Sequence, residues 1–182
     1  MRAMLLLIAV ATSAASAQQV RTRNGFWVGA GLGFGSLQLS CSGCTNGPRS
    51  NALSGFVKLG GTINGHLLLG GETDLWVRSS TTTKVAGNTS ATAYYYPAPA
   101  SGLFLRAGLG IAYYQEKSAT NAAIGVGFVV GAGYDFAVGP HTSLTSVANF
   151  NWGAPGDVQR GLLTLPSVKQ NLLQLGLGIT WH

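Results

Sequence analysis

From residue 25 onward, apolar side chains return at every second position, which is the side-chain repeat of a β-strand rather than of a helix. The stretch FWVGAGLGFGSLQL, residues 26–39, sets Phe26, Val28, Ala30, Leu32 and Phe34 on one face and Gly29, Gly31, Gly33 and Gly35 on the other. The same alternation predicts eight strands, at roughly 25–38, 52–63, 66–78, 90–97, 102–115, 123–137, 142–152 and 169–182. Helical periodicity is absent from this part of the chain. Asn64-Gly65 reads as a two-residue hairpin signal, and PAPAS (97–101) and VGPHT (138–142) make two further short connections. The other four connections are longer and polar: SCSGCTNGPRSN, SSTTTKVAGNTS, QEKSATN and GAPGDVQRGLLTLPSV. Glycines this regular do not form a dinucleotide cradle. The fingerprint needs a glycine at i+5, where Gly29 meets Phe34 and Gly31 meets Ser36.

Which face looks outward decides the class. One face is large and apolar, while the other is mostly glycine with a few polar residues, as on strand six, where Ile124, Val126, Phe128 and Val130 oppose Gly125, Gly127 and Gly131. A water-facing wall of bare glycine would be a poor solvated surface. Turned the other way, the apolar face meets lipid and the small face fits the cramped interior of a narrow barrel. The fold expected is therefore all-β, an eight-stranded antiparallel up-and-down transmembrane β-barrel. Aromatic girdles are expected at both rims. One rim gathers Phe26, Trp27, Tyr94 to Tyr96, Tyr134, Phe136 and Trp181, and the other Phe34, Trp76, Tyr113, Phe150 and Trp152. Trp76 falls on the inward face by parity.

Composition sharpens this picture. Charged residues are 9% of the chain and glycine contributes 27 of 182 residues, against about 25% and 7% in ordinary soluble domains. The start, MRAMLLLIAVATSAASAQQ, joins Arg2, an apolar stretch too short to span a bilayer and the small residues Ala15-Ser16-Ala17. It reads as a secretory signal peptide over residues 1–17, leaving 18–182 as one barrel domain. Without Arg2 the formal net charge of +6 becomes +5. The basic residues are scattered rather than gathered in a run, so nucleic acid is not an expected partner. Cys41 and Cys44, three apart in a loop of an exported chain, are expected to close a small disulfide. A redox pair lacks its βαβ context, and a zinc site lacks ligands.

The sequence resembles the small bacterial outer-membrane β-barrel proteins, the OmpA-like and OmpX-like group. The stretches that carry the likeness are GFWVGAGLGFG, YYYPAPASGLFLRAGLGIAYY (94–114) and LLQLGLGITWH (172–182). The resemblance implies a monomer in the outer membrane, surrounded by lipid and lipopolysaccharide and assembled by the barrel-assembly machinery. It also implies that the last strand carries the assembly signal, an aromatic preceded by alternating apolar residues. Leu173, Leu175, Leu177, Ile179 and Trp181 match it, with His182 a departure from the usual final aromatic.

The candidate chemistry is sparse. The inward face holds Lys58, Glu72, Asp74, Arg106 and Asp135. Buried charges must be paired, so a lumen network is expected with Glu72 or Asp74 facing Arg106. It would act as a polar plug, or alternatively line an ion path. His141 and Ser143 form a His-x-Ser pair similar to that of outer-membrane lipid A deacylases, but they lie in a short turn at the periplasmic rim and no Ser-Asn follows. Turn chemistry explains them. His66 has no evident partners for a metal. No cofactor, metal or catalytic residue is expected. The long loops are basic, with Arg49, Lys84, Arg160 and Lys169 in or beside them, Arg78 and Lys117 at strand ends, and Glu116 and Asp157 in opposition. They are expected to meet lipopolysaccharide phosphates or external ligands. The function expected is non-enzymatic, structural or surface-interacting, with a conduit for small or apolar solutes and a lipid A-modifying hydrolase as the alternatives. A conduit opening sideways could use Phe34, Leu37 and Leu39.

Overall fold

A computed structural model describes residues 23–42, 47–117, 122–160 and 163–182. The signal peptide and Cys44, and with Cys44 the Cys41–Cys44 disulfide, lie outside the described residues. Among the described residues all regular structure is strand: β1 (Phe26–Ser40), β2 (Ser50–Asn64), β3 (Leu67–Arg78), β4 (Lys84–Tyr95), β5 (Leu103–Glu116), β6 (Ala123–Ala137), β7 (Thr142–Arg160) and β8 (Leu163–Trp181). Each strand pairs antiparallel with the next, and β1 closes on β8 to complete an up-and-down barrel. One end carries the connections 65–66, 96–102 and 138–141 and is called here the hairpin end. The opposite end is the loop end.

Register follows the glycines. On β1 the row runs Gly29↔Thr180, Gly31↔Gly178 and Gly33↔Gly176 against β8, so small residues face each other across the closing seam. At Gly35 a Cβ would come within 2.6 Å of Cδ1 of Trp76 and 2.9 Å of Cδ1 of Leu172. Glycine there is what lets two bulky side chains cross the lumen. Across the middle of the barrel the outward face is mainly apolar, with Leu32, Phe34, Leu109, Val126, Leu175 and Leu177 all exposed, as a lipid-facing wall requires.

Three boundaries differ from the expected ones. β4 begins at Lys84 rather than near residue 90. Its first half, KVAGNTS, has Val85 as its one larger apolar residue and carries no alternation to read, and pairing with β3 and β5 imposes the strand. The connection expected over 153–168 is largely strand, because β7 runs to Arg160 and β8 starts at Leu163. The turn residues Gly153, Pro155 and Gly156 are taken up as bulges, with the register shifting between Gly153 and Gly156 and again before Val158. Gly156 has φ +86° and Ser167 φ 50°, and the Asp157 carboxylate accepts the Ser167 amide at 2.9 Å. The first hairpin turns at Gly65-His66, with Asn64 closing β2 and its side chain accepting the His66 and Leu67 amides.

Candidate functional site

The inward side chains stack in layers along the barrel axis. At the hairpin end, Asp135 accepts from the Tyr96 hydroxyl at 2.8 Å and from Thr145 Oγ1 at 2.6 Å. Thr145 also meets Thr180 at 2.7 Å, and Nε2 of His182 stands 3.8 Å from Asp135. Arg23 covers this layer. Its guanidinium lies 3.7 Å from the centre of the Tyr96 ring and donates to the carbonyls of Pro99 and Ser101. Burial, and then the Asp135 carboxylate, push the Tyr96 phenol well above its ordinary pKa, which keeps it the donor in that bond.

Above this sits an aromatic layer. Trp27 and Tyr94 meet edge to face at 5.1 Å, and Tyr94 and Phe104 at 5.8 Å. The Lys58 ammonium lies 5.3 Å from the Tyr94 ring centre and 5.2 Å from that of Phe104, within cation–π range. The β2–β3 register sets Lys58 directly opposite Glu72. Arg106, 3% exposed, reaches both acids: it forms an ion pair with Glu72 and donates to Asp74 at 2.7 Å. Tyr94 also donates to Glu72. Two cations and two carboxylates thus share one level of the lumen.

The next layer is built from amides. Asn149 donates to Gln174, Gln174 to the Gly55 carbonyl, and Asn88 to the carbonyls of Phe128 and Trp152. Gln170 reaches the Gly87 carbonyl at 3.1 Å. At the loop end the lining turns apolar, with Leu37, Trp76, Ala86, Tyr114, Val158, Val168 and Leu172 packed as one buried cluster. The Trp76 indole donates to the Gly35 carbonyl at 3.0 Å. Over the cluster, Lys84 pairs with Glu116 at 3.4 Å, and Glu116 accepts from Tyr114.

Parity placed Lys58, Glu72, Asp74, Arg106 and Asp135 inside, but the structure divides them between two layers. Asp135 belongs with Tyr96 and Thr145 rather than with Arg106. Trp27, Tyr94 and Tyr96, expected in a membrane girdle, are buried in the lumen at 1%, 2% and 1% exposure. The signal was available in the sequence, since Trp27 shares the Gly29 face. The outward aromatics remain at both rims, with Phe26, Tyr95, Phe136 and Trp181 exposed at the hairpin end and a Phe128–Trp152 stack at the loop end. Arg23 is a lumen residue that the alternation, which starts after it, could not flag.

The basic residues are also redistributed. Lys84 opens β4 and Arg160 closes β7, so these two are strand rather than loop residues, while Lys169, expected to begin the last strand, lies within β8. Arg49, Arg78, Lys117 and Lys169 are exposed. Nothing is described of the Arg160 side chain. His141 is exposed and its carbonyl accepts the His182 amide, whereas Ser143 is fully buried in the lumen. Leu173, Leu175, Leu177, Ile179 and Trp181 line the outward face of β8 and are all exposed. Among the described residues no group of three His, Cys, Asp or Glu side chains is arranged to hold a metal.

The family described as "Outer membrane protein beta-barrel domain" matches residues 4–180. Among solved structures, Neisserial surface protein A superposes with a TM-score of 0.56 at 19% identity, covering 86% of this chain and 96% of that one. Ail, the attachment invasion locus protein of Yersinia pestis, gives a TM-score of 0.51 at 14% identity, over 87% of this chain and 99% of Ail. At such identities the likeness is one of fold. No curated protein matches the sequence.

Proposed function

This chain belongs to the outer-membrane β-barrel family, and on that premise we propose that it is a monomeric, non-enzymatic outer-membrane barrel that acts at its loop end by binding the phosphates of lipopolysaccharide. The observation that carries this reading is the filled lumen. Arg23, the Tyr94 and Phe104 layer, the Arg106 ion pairs and the amide layer succeed one another along the axis. An eight-stranded barrel has room for side chains or one small ligand and no channel beyond that. That leaves the loop end, rather than a through-channel, as the place of function.

At the loop end the outward residues change from apolar to polar along neighbouring strands. On β1, Phe34 is followed by Ser36, Gln38 and Ser40; on β8, going the same way, Leu173 is followed by Asn171 and Lys169. That change marks a membrane–water boundary. Lys169 lies opposite Ser40, and Arg49 donates to the Ser36 carbonyl at 2.9 Å. Both cations therefore flank β1 at headgroup level, where charge-assisted bonds to phosphate are strong. Lys84 is already engaged by Glu116. The separation of His141 from Ser143, one outside and one inside the wall, supports the non-enzymatic part of the reading.

The test is binding of the refolded barrel in phospholipid nanodiscs to diphosphorylated lipid A and to its dephosphorylated form. Arg49→Ala/Lys169→Ala is expected to weaken binding to the phosphorylated form by about tenfold, with weaker salt dependence. Equal affinity for both lipid forms, or an unaffected double variant, contradicts the reading.

A further inference from the structure

The lumen changes character at its loop end, from amide to apolar lining. On β1 the inward glycines give way to Leu37 and Leu39. Val158 and Val168, on the bulged extension of β7 and β8, turn inward at 3% and 1% exposure. Together with Trp76 and Tyr114 they line a cavity of about 370 Å³, within the ~300–1,000 Å³ range of small-molecule sites. A mouth that opened only onto water would be expected to be polar. Packed interiors leave few voids larger than a water molecule, so an apolar cavity of this size, walled by buried side chains, is a space shaped to be filled.

We infer that this cavity is a binding site for a small, uncharged, largely apolar molecule that enters from the loop side and goes no further. Entry is set by the edge of the cavity, where Gly47 and Pro48 are both exposed. The floor is closed by Gln170 and Asn88, whose amides are tied to the backbone carbonyls of Gly87, Phe128 and Trp152. The absence of net charge follows from the two charged groups in the wall. Lys84 and Glu116 stand 3.4 Å apart and neutralise one another, and Glu116 also holds the Tyr114 hydroxyl. An ionic ligand would have to break that pair, whereas a neutral one leaves it intact. The Trp76 and Tyr114 rings favour a flat aromatic body.

The four tryptophans give a direct readout in nitrogen-labelled protein in phospholipid nanodiscs. Trp76 lines the cavity, Trp27 is buried at the other end of the lumen, and Trp152 and Trp181 face lipid. Titration with neutral phenylnaphthylamine is expected to shift the Trp76 indole signal saturably and to leave Trp27 unmoved. Anilinonaphthalene sulfonate, which adds an anionic group to the same frame, is expected to bind at least about tenfold more weakly. Ser50→Phe places a ring in the cavity from its β2 wall and is expected to weaken the Trp76 response by a similar factor. An unchanged Trp27 signal in that variant reports an intact barrel. Shifts confined to Trp152 and Trp181 mean partition into lipid and overturn the proposal, as does equal or tighter binding of the sulfonate. If Ser50→Phe perturbs Trp27, Leu165→Phe fills the same cavity from β8 and is judged by the same signals, full binding in a folded variant counting against the site.

Discussion

Arg106 is the side chain on which most of the buried charge depends. It is the shared partner of Glu72 and Asp74, so removing it leaves two carboxylates in a closed lumen with Lys58 as the remaining cation of that level. Arg106→Met is expected to lower stability by about 3–5 kcal/mol, the usual cost of breaking a buried pair from one side. Urea titration in lipid vesicles measures it, and the combined Lys58→Met/Glu72→Met/Asp74→Met/Arg106→Met change, which removes both cations and both acids of that level, should recover much of the loss. Gly35→Val makes a separate prediction, because its Cβ would stand 2.6 Å from the Trp76 ring. It should destabilise by about 1–3 kcal/mol through overpacking, whereas Gly61→Val, with open space around its Cβ, should not. At this scale the sequence told which side of the wall a residue occupies, because strand parity is strict. It did not tell which inward residues meet. That depends on strand stagger, so Asp135 could not be separated from Arg106, nor Arg106 joined to both acids, before the register was known.

Among the elements, β7 and β8 carry the least expected feature. Gly153, Pro155 and Gly156 read locally as a turn, yet the paired strands continue past them through two bulges. Local turn chemistry lost to cross-strand pairing there, just as the weak pattern of KVAGNTS was overridden by its neighbours in β4. The strongly alternating strands β1, β5 and β6 needed no such rescue, and their expected limits lie within two residues of the observed ones. The bulge remains a weak point. Gly156→Val forces a branched residue to φ +86° and is expected to cost about 1–3 kcal/mol locally. Limited proteolysis should then cut faster between β7 and β8, while the heat-modifiable gel mobility of the barrel stays unchanged. A variant as resistant as the parent would show that the bulge tolerates the change.

For the whole molecule, the glycine face and the apolar face together explain why the chain is a barrel that turns its apolar side outward. The outward wall from Phe34 to Leu177 meets lipid, and the interior is closed by successive aromatic, ionic and amide layers. What was legible in the sequence was the wall. The plug was legible only as a set of inward charges, and of the apolar mouth Leu37 lay in the expected first strand, whereas Val158 and Val168 were hidden in a segment that read as loop. The account stands on the lumen being closed, and ionic conductance tests that most directly. Purified protein reconstituted in planar bilayers is predicted to give no reproducible single-channel steps, with or without Arg106→Met. Well-resolved steps of constant amplitude from the parent protein would contradict it.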